Sequence, residues 1–118
     1  MKFSGAMIGS DNPERLAAFY VQVLGEPGWH EGTWWGWSGK ADLMLGEHSD
    51  VHGASANPQR IILGVETKDV ADSFKRLVDL GAHVVAEPYQ PEGAPGGVWL
   101  ATLADPDGNY LQLASPWE

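Results

Sequence analysis

The chain has 118 residues, 43% of them hydrophobic, which is enough for one packed core. Seven basic residues against 16 acidic give a net charge of −9, so clustered cations for nucleic-acid phosphates or anionic lipid are lacking. The absence of cysteine excludes disulfides, thiolate metal sites and cysteine nucleophiles, and no apolar run approaches the ~20 residues of a membrane-spanning helix.

In chain order, residues 3–9 form a short apolar run with Gly and Ser, consistent with a buried strand. Asn12-Pro13 then starts a helix, Asn12 capping free N–H groups and Pro13 suiting the first helical position. Leu16, Phe19, Tyr20, Val23 and Leu24 make one apolar stripe, and Gly25 with Pro27 ends it. Three short strands are expected over 28–31, 33–38 and 41–46. A second strand–helix pair follows: a strand over 60–66, then a helix capped by Asp69 with the stripe Val70, Phe74, Leu77 and Val78, stopped at Gly81. Strands over 82–88, 97–104 and 109–115 complete the chain.

The order is therefore written twice. Leu24-Gly25 recurs as Leu80-Gly81, and Leu43-Met44-Leu45 recurs as Leu111-Gln112-Leu113. An internal repeat constrains a whole architecture rather than one element. It predicts an α+β fold of two βαβββ modules in a single domain, 1–118, with module one at 1–46, a linker loop at 47–59 and module two at 60–118. Each module should supply one sheet, the two curved around a concave cleft with helices outside. The segments 46–59 and 88–97 are polar or rich in Pro and Gly; they read as functional rims or as plain solvated linkers.

Asp11, Phe19-Tyr20 and Leu24-Gly25, then Val70, Leu77 and Leu80-Gly81-Ala82, then Asp105-Pro106-Asp107-Gly108-Asn109 with Tyr110-Leu111-Gln112-Leu113, resemble the vicinal oxygen chelate superfamily of glyoxalases, bleomycin-resistance proteins and dioxygenases. The resemblance covers essentially the whole chain. It implies metal-ligand positions on the first and last strand of each module. In this chain they fall on Gly5, Met44, Ile62 and Gln112, the last where metal-dependent members usually carry Glu. Glycine and isoleucine offer no side-chain donor, and a thioether is a poor ligand for hard or borderline metals. The resemblance thus points to a metal-free member with no cofactor, and the superfamily's metal-assisted chemistries are not expected.

Other candidate chemistry is weaker. His48 and His52 have the spacing of a helical zinc pair, but their segment has no apolar stripe and ends in Gly53, so a solvated loop is expected. His30 and His83 stand singly near strand ends, as surface or hydrogen-bonded structural histidines. The stretch 93–97 is not a phosphate loop, since no Lys-Ser/Thr and helix follow.

Six tryptophans are many for this length, and Trp29, Trp34, Trp35 and Trp37 crowd one segment. Large aromatics fill cores and interfaces as readily as they line pockets. Replacing ligands with Gly5, Met44 and Ile62 makes an apolar, adaptable pocket, to which Gly9 adds space. Strand alternation adds Met7 beside Gly5 and Tyr110 beside Gln112, while Trp35, Trp37 and Trp99 are expected as aromatic walls.

Metal-free relatives of this type sequester drugs as homodimers with two clefts lined by both chains. The expected function is binding of a small aromatic or apolar ligand such as an antibiotic or other natural product, as self-resistance, in tryptophan-rich clefts of a homodimer. The acidic balance suits a cationic or planar aromatic ligand. Two alternatives stand beside it: a glyoxalase- or dioxygenase-like enzyme, either metal-dependent or a metal-free acid–base version with Gln112 and Tyr110 orienting substrate and Glu47 or Glu31 as a rim base, and an accessory protein-interaction domain. The N-terminal Met1-Lys2-Phe3-Ser4-Gly5 lacks the apolar core of a signal peptide, so the cytoplasm is the expected location.

Overall fold

A computed structural model describes residues 1, 3–38, 42–93 and 95–116. Ala41, the expected start of the third strand of the first module, and Ala94, within the 88–97 loop, lie outside the described residues. The chain forms two compact units, Met1–Gly53 and Ala54–Glu118, each with one four-stranded mixed sheet and one principal helix. No helix among the described residues is long and apolar enough to cross a membrane.

In the first unit the order is β1 (Ala6–Ser10), α1 (Pro13–Leu24), β2 (Trp29–Glu31), β3 (Trp34–Trp37) and β4 (Leu43–Glu47). Asn12 caps α1 by accepting a hydrogen bond from the Arg15 N–H, and Pro13 occupies the first turn. Leu16, Ala17, Phe19 and Tyr20 are buried against the sheet, with the Phe19 and Tyr20 rings edge-to-face at 5.2 Å. The sheet order is β1-β4-β3-β2, with β1 parallel to β4 and the other pairs antiparallel. The first strand starts later than the apolar run suggests, at Ala6. Gly5 has a φ of +130°, a conformation that bars a side chain and breaks the extended run.

The second unit repeats this plan: β5 (Ile62–Glu66), α2 (Val70–Asp79), β6 (His83–Tyr89), β7 (Leu100–Ala104) and β8 (Tyr110–Ala114). Asp69 caps α2 by accepting from the Asp72 N–H, and Val70 and Leu77 are its buried anchors. The order β5-β8-β7-β6, with β5 parallel to β8, matches the first sheet element for element. Leu103, Leu111 and Leu113 are almost fully enclosed and form the core of this unit. Each contributes about 1.5–3 kcal/mol by leaving water.

Candidate functional site

The register of the first sheet decides which side chains meet. Met7 lies opposite Met44, Met44 opposite Gly36, and Gly36 opposite Trp29, giving one row across all four strands. The neighbouring row runs Gly46, Trp34, Glu31. By alternation these residues share a face, and Leu43 and Leu45, buried in the core, occupy the opposite one. The Met44 face is open to solvent: Met7 is 53% and Trp29 43% exposed.

Two glycines shape this face. A Cβ on Gly36 would overlap the Trp29 indole at Nε1, Cε2 and Cζ2, and one on Gly46 would overlap the Trp34 ring at its fused bond. Both indoles therefore lie across the sheet, each over a position where no side chain stands. Trp29, Trp34, Glu31 and Met44 enclose a shallow cleft of about 340 Å³. A second cleft of about 320 Å³ adjoins it, bordered by Gly5, Met7, Trp29, Trp37, Asp42 and Met44. Aromatic plates, adaptable thioethers and one or two carboxylates are a fitting surface for a flat organic ligand.

The residues expected at a binding site thus divide. Gly5, Met7 and Met44 come together on the open face of the first sheet. Trp35 and Trp37 do share a face, but it is that of Leu45 and Leu43, their register partners. Trp37 is buried, its Nε1 donating to the Gly25 carbonyl at the end of α1 at 2.8 Å, and it reaches the second cleft only at the end of its strand. Trp35 stacks with His30, ring centroids 4.3 Å apart and planes 8° from parallel. The His30 Nε2 is hydrogen-bonded to the Gly32 carbonyl at 3.0 Å, which holds that stack. The aromatic plates beside Met44 are Trp29 and Trp34, which sequence alternation alone did not single out.

The glycines also act differently from simple space-makers. At Gly5 a Cβ would strike the Asp42 carbonyl oxygen and lie 2.8 Å from the Asp42 Cβ, so close chain approach requires the glycine. Above Gly9 the space is filled: a Cβ there would lie 2.8 Å from Val51 Cγ2 and 3.0 Å from His48 Cβ. The 48–53 segment therefore covers that end of the face, pinned by the Gly53 N–H donating to Asp11 Oδ2 at 2.6 Å. It contains no helix, so His48 and His52 do not share a helical face; His48 Nδ1 accepts the Asp50 N–H at 3.1 Å.

In the second sheet Ile62 lies opposite Tyr110, and Gln112 lies between Gly64 and Thr102, so Ile62, Tyr110 and Gln112 share the face away from Leu111 and Leu113. No atom lies within 4 Å of where a Gly64 side chain would begin, leaving open space beside Gln112. The turn before β8 fixes this placement. The buried Asp105 carboxylate accepts hydrogen bonds from the N–H groups of Asp107 and Asn109, both at 2.9 Å, and from Asn109 Nδ2. Trp99 stands elsewhere, near the start of α2 with Lys68, Asp69 and Ser115. Its backbone pairs with Ser115, through the Ser115 N–H to the Trp99 carbonyl and the Trp99 N–H to the Ser115 hydroxyl.

The residues at the superfamily's ligand positions do not fit a divalent metal. Gln112 brings one neutral oxygen donor, Met44 a thioether, and Gly5 and Ile62 nothing. Among the described residues no three His, Asp or Glu side chains are grouped so as to hold an ion.

Residues 6–114 match the glyoxalase-like domain family. No curated protein matches the chain. Among solved structures, a glyoxalase/bleomycin resistance protein/dioxygenase family enzyme from Burkholderia phytofirmans PsJN is similar, with a TM-score of 0.76 and 18% identity over 95% of this chain and 96% of that one. A glyoxalase/bleomycin resistance protein from Albidiferax ferrireducens T118 has a TM-score of 0.74 and 21% identity, covering 98% of both chains. A glyoxalase-related enzyme from Fulvimarina pelagi has a TM-score of 0.76 and 19% identity, covering 98% of this chain and 88% of that one. At such identities these likenesses establish the fold and leave the activity to the site. With the family matched along almost its whole length and the paired βαβββ sheets in place, the chain belongs to the glyoxalase-like domain family of the vicinal oxygen chelate superfamily.

Proposed function

We propose that this protein binds a planar aromatic or apolar small molecule without transforming it, as a sequestering protein of the self-resistance type. The observation that carries this is the open face of the first sheet, where Trp29 and Trp34 lie over Gly36 and Gly46 on either side of Met44. A flat ligand stacked there gains aromatic contact and apolar burial together. The poor donor set at Gly5, Met44, Ile62 and Gln112 supports binding in place of metal-assisted turnover. We further propose that the protein acts in the cytoplasm as a homodimer, the exposed Met7 and Trp29 becoming part of a cleft completed by the second chain. Trp35, Trp37 and Trp99 contribute in this reading by holding the sheets and cleft rims in place, and Ile62, Tyr110 and Gln112 offer a second, more polar contact surface.

The test is intrinsic tryptophan fluorescence titrated with a panel of planar aromatic antibiotics, followed by mass spectrometry of the recovered compound. Saturable quenching with the compound unchanged is expected. Time-dependent conversion of a compound would replace the sequestration reading with an enzymatic one.

A further inference from the structure

We infer that the cleft bounded by Trp29, Glu31, Trp34 and Met44 is a subsite for a positively charged alkylammonium group, a deepening that rests on the binding function proposed above. Glu31 is the only charged side chain among the described residues lining that cleft. Register places it opposite Trp34, at the outer strand of the sheet, on the same face as both indoles. Each indole lies against the sheet across a glycine, which leaves its other face turned outward.

The electron-rich face of tryptophan attracts a cation by its quadrupole, and a nearby carboxylate adds direct Coulomb attraction. The Met44 thioether completes an apolar base that accepts methyl or methylene groups without demanding a hydrogen bond. A methylated ammonium suits this combination better than a primary amine, because it donates few hydrogen bonds and the cleft offers one acceptor group. The chain's net charge of −9 brings cations toward the face from a distance. The cleft beside Trp99 in the other unit is bordered by Lys68 as well as Asp69, so opposite charges offset there and give it no comparable preference for cations.

The experiment compares phenyltrimethylammonium with tert-butylbenzene, its neutral isostere, and with 2-naphthol as a neutral planar probe, each titrated into the full chain. Tryptophan fluorescence and chemical-shift changes of the indole N–H groups report binding. The charged probe is expected to bind about tenfold more tightly than its isostere, and Glu31→Gln should erase most of that difference, weakening the charged probe far more than it weakens 2-naphthol. Trp29→Leu should weaken both charged and neutral probes. Equal affinity for the two isosteres, or an unchanged preference in Glu31→Gln, overturns the ammonium subsite; retained 2-naphthol binding then leaves the aromatic-binding function standing. Failure of all three probes to saturate overturns both.

Discussion

Trp37 hydrogen-bonds through its Nε1 to the carbonyl of Gly25, 2.8 Å away, tying the inner end of β3 to the last turn of α1. Trp29, on the adjacent strand, has no such anchor among the described residues and lies 43% exposed over Gly36. Under the proposed function, two tryptophans of the same segment thus serve opposite ends, one stability and the other recognition. Trp37→Ala should lower unfolding free energy by about 3–5 kcal/mol, whereas Trp29→Ala should cost far less and abolish aromatic binding. Urea unfolding run beside fluorescence titration separates the two effects, and equal losses of stability would contradict the division.

Gly46→Ala places a methyl where the Trp34 ring now lies. The ring has to lift from the sheet, so a cost of about 1–3 kcal/mol is expected, with a change in tryptophan emission and weaker probe binding. Gly64→Ala, where the space is open, should leave stability nearly unchanged apart from a small backbone effect. Comparing the two denaturation midpoints checks this.

Asp105 is fully buried, and its carboxylate satisfies two backbone N–H groups and the Asn109 amide. Asp105→Ala strands those donors and should destabilise the second unit by about 2–4 kcal/mol. Amide hydrogen exchange should show the loss concentrated at β7 and β8 while α1 keeps its protection. Uniform loss along the chain would mean the two units unfold as one.

Dialysis against a chelator, followed by a thermal melt with and without added Zn²⁺ or Mg²⁺, should leave Tm and probe binding unchanged. Gly5, Met44, Ile62 and Gln112 offer too few donors for the folded state to gain from an ion. A rise of several degrees with one metal would place ligands elsewhere.

The helices were legible because their signals are local. Asn12-Pro13 and Asp69 cap the predicted turns, and the stripes of Leu16, Phe19 and Tyr20 and of Val70 and Leu77 are the buried ones. The repeat of Leu-X-Leu strands marked matching strands in the two units, and Leu43, Leu45, Leu111 and Leu113 are buried there at matching places. The site was legible only in part. Met7 could be put on the face of Gly5, and Tyr110 on that of Gln112, by counting along one strand, while Met44 was reached through the ligand positions that the resemblance implies. The tryptophans could not, because their face depends on how β3 registers against β4 across the 38–42 connection. A slip of one residue exchanges Trp35 and Trp37 for Trp34 and Gly36. The clue available beforehand was the pairing of bulky and absent side chains: Gly36 and Gly46 leave the vacancies into which Trp29 and Trp34 fit.

The parallel pairing of β1 with β4, and of β5 with β8, has a consequence for how the molecule is made. Neither outer strand has its partner until the rest of its own unit has been synthesised, so no sheet can close early from its N-terminal end. Closing each of these long loops is entropically costly and slows the search for the native pairing. The costs are separate, however, because every partner of β1 through β4 lies before Gly53. All strand partners of the first unit are thus synthesised before the second begins, and the ribosome delivers the two pairing searches one after the other in chain order.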